Sequence, residues 1–487
     1  MYGDNPAFKA GFLPASIRAA AILKGPVKSM QPTSSFKQKI AQFLIVFLPI
    51  FVTQITLSAM AFFDTSMTGH VSPAAQAGVS IGVSLWIPIQ TGLNGVLNGI
   101  MPIVSQLVGG GRERDVRFNV FQGLLLSLLF SAAVLLLGAM LLRPAIEFMN
   151  AEAEVADTAY KFLICLAFGI VPLFGYTVLR GCIDSLGQTR VSMAITLCSL
   201  PVQLLLNYLL IFGKFGFPEL GGVGAGIASA VTYWVIFLIA LAVMHRAEPF
   251  ASFGFFRKWH RISWAKQKEL LQLGIPIGFA TFFETSIFAA VTLLMNRFGT
   301  NAVAAHSAAI NFASTLYMIP LAICMALTIL VGYEAGAGRN KDARQYAFIG
   351  IGSAIGMALV TAALLVLFGD KVALIYSNDP AVTALIIQFL VYAIFFQLSD
   401  ALATPIQGAL RGYKDVTPAF FITLIAYWGI GLPVGYVLAV YTSFGPFGYW
   451  LGLIAGLAVG AALLLLRLLK VQRLHAVRPP DPNAIQV

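Results

Sequence analysis

Apolar runs of about 20 residues recur along the whole chain and are separated by short polar segments. A helix needs about 20 apolar residues to cross the hydrocarbon core of a bilayer. Only 10% of the 487 residues are charged, whereas soluble domains carry about 25%. The runs are too long and too continuous for the alternating strands of a membrane barrel. The sequence therefore predicts an all-α polytopic membrane protein.

We predict twelve transmembrane helices, six in each half of the chain. The predicted spans are 40–68, 77–107, 118–142, 158–179, 191–212, 221–244, 271–298, 308–332, 347–368, 381–410, 418–441 and 447–469. The predicted organisation is a basic cytoplasmic tail at 1–39, a first lobe at 40–245, a cytoplasmic connecting loop at 246–268, a second lobe at 269–470 and a cytoplasmic tail at 471–487. Met30 is a candidate alternative start.

The net charge of +11 is explained by how the 31 Lys and Arg residues are distributed. With a cytoplasmic N-terminus, 26 of them fall in cytoplasmic segments or at their edges. The outer segments hold only Arg143, Lys161, Lys214, Arg297 and Lys371. This asymmetry follows the positive-inside rule. We therefore expect a multi-pass protein of a bacterial inner membrane with both termini cytoplasmic, in contact with anionic lipid and without a nucleic-acid partner.

Short strings recur in the same order at a nearly constant offset. The string KQK at 37–39 returns at 266–268, the GGGR at 109–112 returns as GAGR at 336–339, and the LRG at 179–181 returns at 410–412. Such offsets indicate a duplicated half. Because each half has an even number of spans, the two repeats enter the membrane in the same orientation, and the pseudo-twofold axis runs along the membrane normal.

One similar pair of strings does not follow this register. FFDTS at 62–66 and FFETS at 282–286 are 220 residues apart, whereas the repeat offset is 227 to 231. Asp64 and Glu284 are therefore not symmetry mates. At 1.5 Å per residue, we expect Asp64 to lie on the order of 10 to 15 Å nearer the outer face than Glu284.

Sixteen of the 20 acidic residues fall in predicted cytoplasmic or outer segments or at their edges, and four remain: Asp64, Glu284 and Asp400 inside predicted spans, and Asp184 just beyond the span 158–179. A carboxylate within the bilayer is costly, so each must be protonated, bound to a cation or exposed to a wet cavity. Glu284 and Asp400 both fall near mid-membrane in the second half. They are our candidates for exchanging a proton or a sodium ion against a cationic substrate, with both carboxylates as sodium ligands. The alternative is a structural pair that is hydrogen-bonded to Gln397 or Thr285.

The other two acids have weaker cases. Asp184 belongs to the pattern Leu-Arg-Gly-x-x-Asp, which the second half repeats, so we predict that it organises a cytoplasmic turn beside Arg180. Asp64, our third candidate for cation or proton coupling, either lines a first-half cavity with Gln203 and Asn207 or only bonds to threonines of its own helix.

Three amides of the second span share one helix face. Gln90, Asn94 and Asn98 recur every fourth residue. They either form the wall of a wet cavity or hold neighbouring helices together.

The sequence gives no support for a catalytic or nucleotide-binding site. It contains no His-Glu-x-x-His and no Gly-x-x-x-x-Gly-Lys-Ser/Thr, and its Gly-x-Ser-x-Gly match at 78–82 lies inside a predicted membrane span and not at a strand-to-helix turn. The Gly-rich string at 221–226 opens a membrane helix and is better explained by helix packing. An intramembrane enzyme would need clustered catalytic groups, and only His306 lies near a helix start. We therefore predict no enzyme and no cofactor. An ion gradient or a partner subunit would supply the energy, although composition alone leaves a passive channel open.

Several longer strings carry a family resemblance. They are FFDTSMTGHVS, PIVSQLVGGGR, GKFGFPELGGVGAGIA, FFETS with AAH, ALRGYKD and YWGIGLPVGY. In letters, order and spacing, from about residue 37 to 470, the chain resembles the multidrug and toxic compound extrusion (MATE) family, NorM-type branch. The resemblance implies a V-shaped fold of two lobes around a central cavity, which exports organic cations in exchange for sodium ions or protons. We expect small organic cations and membrane lipids as partners, and a monomer.

By position, Glu284 and Asp400 resemble the family's second-lobe cation site, and Asp64 resembles its first-lobe acid, with Asn207 nearby. Two positions depart from the pattern. Phe396 stands where members can have tyrosine, which leaves an aromatic ring face for a cation but no hydroxyl, and Gln203 replaces an asparagine. A lipid-linked oligosaccharide flippase of related architecture is the rival function. It would need basic residues in its cavity, and the only Lys and Arg residues inside predicted spans fall near the span ends.

Overall fold

The computed structural model describes residues 30–149, 152–255 and 260–477. The regular structure in these ranges is helical. In chain order the α-helices are α1 (Phe36–Gly69), α2 (Pro73–Leu97), α3 (Ile100–Gly109), α4 (Glu113–Phe148), α5 (Ala153–Ala167), α6 (Ile170–Ser185), α7 (Thr189–Ile211), α8 (Gly221–Arg246), α9 (Phe250–Phe253), α10 (Trp264–Met295), α11 (Thr300–Gly336), α12 (Asn340–Tyr376), α13 (Pro380–Gly412), α14 (Val416–Leu424), α15 (Leu432–Tyr441) and α16 (Phe447–Val477). A π-helical segment, Ile425–Gly431, joins α14 to α15.

These helices match the twelve predicted spans in order. Within the described ranges, ten helical segments are long and apolar enough to cross a membrane, and α5 with α6, bent by 51°, makes an eleventh. The remaining predicted span is α2 with α3, which is interrupted at Asn98 and Gly99. The result is six crossings in each half, as the sequence predicts.

Several helices extend beyond the predicted spans. Helix α1 begins at Phe36, inside the predicted tail, behind a capping box in which the Gln38 amide N–H donates to Ser35 Oγ at 3.3 Å. Helix α16 continues to Val477, so residues 471–477 of the predicted C-terminal tail are helical. Hydropathy detects only the part of a helix that lies in the hydrocarbon core of the bilayer. The backbone hydrogen bonds of the same helix continue into the polar headgroup region. The rest of the two tails, 1–29 and 478–487, lies outside the described residues.

The two halves meet closely through α2 and α10. A Cβ atom added to Gly95 would lie 2.7 Å from the Cα of Gly278, which is closer than real Cβ contacts. Only glycine allows backbones to approach this closely.

Further contacts between the halves lie at the predicted cytoplasmic ends of the helices. Gln106 Nε2 of α3 donates to the carbonyl of Gly412 at the end of α13, at 2.8 Å. Lys39 Nζ of α1 lies 2.9 Å from Asp342 Oδ1 of α12. Phe62, toward the other end of α1, is 66% exposed. The halves are therefore closed together on the predicted cytoplasmic side.

Candidate functional site

Two buried acids lie inside the second half, on α10 and α13. Glu284 on α10 is 7% exposed and Asp400 on α13 is 1% exposed, and their charges interact. Asp400 Oδ1 accepts a hydrogen bond from Thr404 Oγ1 at 2.8 Å. Asp400 Oδ2 is buried and has no hydrogen-bond partner among the described residues. Such an oxygen is costly unless it carries a proton or contacts a cation.

The π-helical segment supplies the partner of Glu284. The Tyr427 hydroxyl donates to Glu284 Oε1 at 3.3 Å, and the adjacent Trp428 indole donates to the carbonyl of Phe283 at 3.0 Å. The two acids and their hydrogen-bond partners together offer carboxylate and hydroxyl oxygens: Thr404 on Asp400 Oδ1 and Tyr427 on Glu284 Oε1. Oxygen ligands of this kind suit a hard monovalent cation as well as a proton.

Gln397 and Thr285, which would hold a purely structural pair of acids, form their hydrogen bonds with other groups. Gln397 Nε2 donates to the carbonyl of Ala313 at 2.8 Å. Thr285 Oγ1 donates to the carbonyl of Thr281 at 3.0 Å, within its own helix. Neither side chain hydrogen-bonds to Glu284 or Asp400, so this form of the structural alternative is wrong.

Phe396 does not present a ring face to a cavity. It is 5% exposed, and its ring centroid lies 5.7 Å from that of Phe288 and 6.0 Å from that of Trp450, in edge-on contacts. The expectation of a cavity-lining ring is therefore wrong, because helix packing places Phe396 in an aromatic cluster of the second half.

Asp64 is the centre of a separate polar cluster in the first half. Its Oδ1 accepts from Gln203 Nε2 at 2.7 Å and from Asn207 Nδ2 at 2.6 Å, and its Oδ2 accepts from Ser229 Oγ at 3.0 Å. The predicted grouping of Asp64, Gln203 and Asn207 is present. The neighbouring Thr68 instead donates to backbone carbonyls, at 2.9 Å and 3.1 Å. Both oxygens of Asp64 are therefore satisfied by neutral donors, unlike those of Asp400.

The amides of α2 hold helices of the first half together. Asn94 Oδ1 accepts from Thr177 Oγ1 of α6 at 3.0 Å, and the Gln90 side chain lies near the Tyr233 hydroxyl of α8. Of the two interpretations left open by the sequence, these contacts favour helix packing.

Arg180 reaches further into the molecule than the span boundaries predict. It lies beside Asp184, as expected, with Nε 3.5 Å from Asp184 Oδ2; Ser192 also donates to Asp184. Arg180 Nη2 donates to Gln54 Oε1 at 2.7 Å, and Gln54 is near the middle of α1. The prediction that basic residues inside spans lie only near the span ends is therefore wrong for Arg180, because α6 continues past the predicted end at 179 to Ser185.

Sequence reasoning missed four of these partners: Thr404, Tyr427, Trp428 and Ser229. Thr404 follows Asp400 by one helical turn and could have been found from that spacing. Tyr427 and Trp428 precede Gly-Ile-Gly-Leu-Pro, a pattern that signals an irregular helix. Ser229 carries no sequence signal, because only the packing of α8 brings it to Asp64.

Other features of the described residues lie away from the acids. No group of three or more His, Cys, Asp or Glu residues that could hold a metal ion occurs in them. A surface groove of about 700 Å³ lies between α4 and α10. Leu128 and Leu129, 51% and 61% exposed, line it, so in a bilayer it faces lipid.

A family model described as MatE matches the chain twice, at residues 49–209 and 276–437. The two matches are 227 residues apart at their starts, so the repeat register inferred from short strings is confirmed. In this register Asp64 corresponds to Val291 and not to Glu284.

Curated relatives match over nearly their whole length. "Probable multidrug resistance protein NorM" of Bacillus anthracis is 56% identical over 92% of this chain and 99% of that protein. The protein of the same name from Bacillus subtilis strain 168 is 54% identical, with the same coverage.

Solved structures share the fold at low sequence identity. The eukaryotic MATE transporter AtDTX14 superposes with a TM-score of 0.78 at 21% identity, over 90% of this chain and 98% of that one. A single-site mutant of the Vibrio cholerae MATE transporter VcmN superposes with a TM-score of 0.81 at 17% identity, over 92% and 99% of the two chains. Together with the two matches to the family model and the near full-length relatives, this fold shows that the chain belongs to the MatE family of transporters, in its NorM-type branch.

Proposed function

We propose that this protein is a multidrug efflux antiporter that exports small organic cations in exchange for a sodium ion or a proton. The names of its relatives, which are more than half identical over nearly their full length, support multidrug efflux. One observation carries ion coupling: Asp400 Oδ2 is buried and unpaired beside Glu284. A permanently charged carboxylate pair in this position would be costly without a cation.

The coupling ion is a substrate of the site formed by Glu284, Asp400, Thr404 and Tyr427. The ion neutralises one unit of charge shared by two carboxylates, and the hydroxyls of Thr404 and Tyr427 supply neutral oxygens. A proton binds to a single carboxylate oxygen, whereas a sodium ion would be coordinated by several of these oxygen atoms. Asp64, which is surrounded by neutral donors, is assigned to the organic cation.

Transport proceeds by alternating access of one cleft between the halves. The contacts between the halves at the predicted cytoplasmic ends of the helices suit the state that is open to the outside. An ion that binds more tightly to one arrangement than to the other shifts the equilibrium between them. The membrane potential supplies about 2.3 kcal/mol per charge per 100 mV.

The same proposal places the protein in a bacterial inner membrane as a monomer with both termini cytoplasmic. The uneven distribution of Lys and Arg supports this orientation.

The flippase alternative rests on one observation, the position of Arg180 inside the helix bundle. A pyrophosphate would need a basic group that is free to bind it. Arg180 is instead engaged by Gln54 at 2.7 Å and by Asp184 at 3.5 Å. The drug antiporter is therefore the better-supported function.

The test is export of a fluorescent organic cation from vesicles containing the purified protein. Sodium and pH gradients are imposed separately, and one of them is expected to drive export. Asp400→Asn and Glu284→Gln should each abolish the gradient-driven part. Asp157→Asn is the matched control, because Asp157 is an exposed acid paired with Lys161, and it should export like the wild type. Unchanged export in both site variants, or export that no gradient accelerates, would overturn the proposal.

A further inference from the structure

The repeated string Leu-Arg-Gly-x-x-Asp adopts different ion pairs in the two halves. In the first half, Arg180 lies beside Asp184, four residues later on the same helix. In the second half, the equivalent Asp415 is held by Arg467 of α16 in a bidentate pair, with Nε to Oδ2 at 2.6 Å and Nη2 to Oδ1 at 2.8 Å. Arg411, the equivalent of Arg180, therefore forms no ion pair with the acid four residues later in the chain.

Arg411 makes no hydrogen bond and no ion pair with any residue that the structure describes. The side chain is half-buried and lines a cavity of about 10 Å³ together with Ala280 and Gln407. That volume is roughly the room one water molecule needs. No acid within two helical turns of Arg411 on its own helix neutralises this unpaired guanidinium.

Glu284 is the acid toward which Arg411 is directed. Helical side chains lean toward the N-terminus of their helix, and α13 runs from the predicted outer side, so Arg411 leans from the predicted cytoplasmic end into the bundle. Ala280 in the cavity wall is one turn before Glu284 on α10, and the charges of Arg411 and Glu284 interact.

The repeat register leads to the same placement. Arg180 bonds to Gln54 of α1, and the offset of 227 between the two family matches takes Gln54 to Thr281 of α10. Glu284 is three residues further along the same helix face. In the first half, Arg180 therefore has a neutral amide partner on α1, Gln54. In the second half, the corresponding position on α10 lies three residues from a carboxylate, Glu284.

We propose that Arg411 is the resident counter-cation of Glu284, which neutralises this carboxylate when the coupling ion is absent and competes with the ion for it. This inference rests on the proposed ion-coupled function and adds a residue to its site. A guanidinium suits the role because it is always charged and presents several donors to a carboxylate. Because the ion must displace Arg411, the residue weakens ion binding and promotes release of the ion.

The test measures gradient-driven dye export as a function of the concentration of the driving ion. Arg411→Gln removes the competing charge, so the half-maximal ion concentration should fall about tenfold, which corresponds to about 1.4 kcal/mol. The maximal rate should fall as well, because the ion leaves more slowly. Arg411→Lys keeps the charge and should stay within about threefold of the wild-type midpoint. Arg180→Gln is the matched control and should leave the midpoint unchanged.

A second variant tests the same proposal without altering Arg411. Arg467→Gln leaves the Asp415 carboxylate without its cation, four residues after Arg411 and just beyond the end of α13, so that it can attract the flexible Arg411 side chain away from Glu284. The midpoint should fall in the same direction as in Arg411→Gln. If Arg411→Gln does not fold, Arg467→Gln and Arg411→Lys decide the question.

The outcomes separate this inference from the function on which it rests. If an ion gradient drives wild-type export but Arg411→Gln and Arg467→Gln keep the wild-type midpoint, Arg411 is not the counter-cation, whatever happens to the rate. If no ion gradient drives wild-type export, the coupling proposal fails, and this inference fails with it.

Discussion

The Tyr427 hydroxyl donates a hydrogen bond to Glu284 Oε1 at 3.3 Å, while Trp428, the next residue, donates to the carbonyl of Phe283 at 3.0 Å. Consecutive residues of one helix thus bind consecutive residues of another. Side chains of a regular α-helix point about 100° apart from one residue to the next, so a regular helix would direct only one of the two toward α10.

The irregularity follows from a proline. The Leu432 amide N–H bonds to the carbonyl of Tyr427, five residues back instead of four, and Pro433 has no amide hydrogen to continue an α-helical ladder. The helix accommodates this loss with a π-helical turn, a feature that often occurs at functional sites.

Pro433→Ala should allow a regular helix and rotate Tyr427 and Trp428 away from α10. An interhelical hydrogen bond in a membrane contributes about 0.6 kcal/mol, so losing two should lower gradient-driven dye export roughly tenfold. Pro144→Ala, within α4 and away from the acids, is the control and should export normally. Wild-type export by Pro433→Ala would show that the π-helical turn is not needed.

Ser229→Ala should lower stability without altering ion coupling. The variant removes the donor to Asp64 Oδ2 and leaves the two amide donors at Oδ1. Loss of a hydrogen bond to a buried charged group should lower the free energy of unfolding by about 1 to 2 kcal/mol. Thermal unfolding in detergent measures this loss, and the half-maximal concentration of the driving ion should stay at the wild-type value. A shifted midpoint would instead place the Asp64 cluster in the ion pathway.

The number of spans and the repeat could be predicted because both depend on local sequence. Apolar length determines a membrane helix, and the family matches at 49–209 and 276–437 follow the offset found in short strings. The acids Glu284 and Asp400 could be identified because charge is rare within a bilayer.

The contacts of these acids could not be predicted, because they depend on how helices rotate against each other. Phe396 is one position before Gln397 and shares a helix with Asp400, yet its ring packs on Trp450, far away in the sequence. Arg180 and Arg411 are equivalent in sequence but differ in partners, because Arg467 comes from a third helix. No local pattern contains that information.

His306 should prove to be structural and not part of the coupling pathway. The Trp450 indole donates to His306 Nδ1 at 3.0 Å, and Thr292 Oγ1 lies 3.1 Å from Nε2. Because indole N–H is only a donor, the ring is neutral with its hydrogen on Nε2. A glutamine offers one acceptor and one donor, so His306→Gln should keep both export and its pH profile.

The contrasting variant is His306→Leu, which leaves the Trp450 N–H unpaired. It should lower the free energy of unfolding by about 1 to 3 kcal/mol, as measured by thermal unfolding. A changed pH profile of export in His306→Gln would contradict the structural role.

Gly278→Ala should open the predicted cytoplasmic side. The added methyl would lie 2.5 Å from the carbonyl oxygen of Gly92 in the other half, and backbone atoms cannot yield as a flexible side chain can. Overpacking costs about 1 to 3 kcal/mol, so the closed arrangement should lose population at least about fivefold.

Labelling of a cysteine at position 105 measures this change. Ser105 is fully buried between the halves against Gly332, and Ser105→Cys is made in a background whose four native cysteines are replaced. A membrane-impermeant thiol reagent on the predicted cytoplasmic side should label it faster in Gly278→Ala. Gly138→Ala, whose methyl meets nothing within 4 Å, should label at the starting rate; equal rates for both variants would show that the glycine contact does not hold the halves closed.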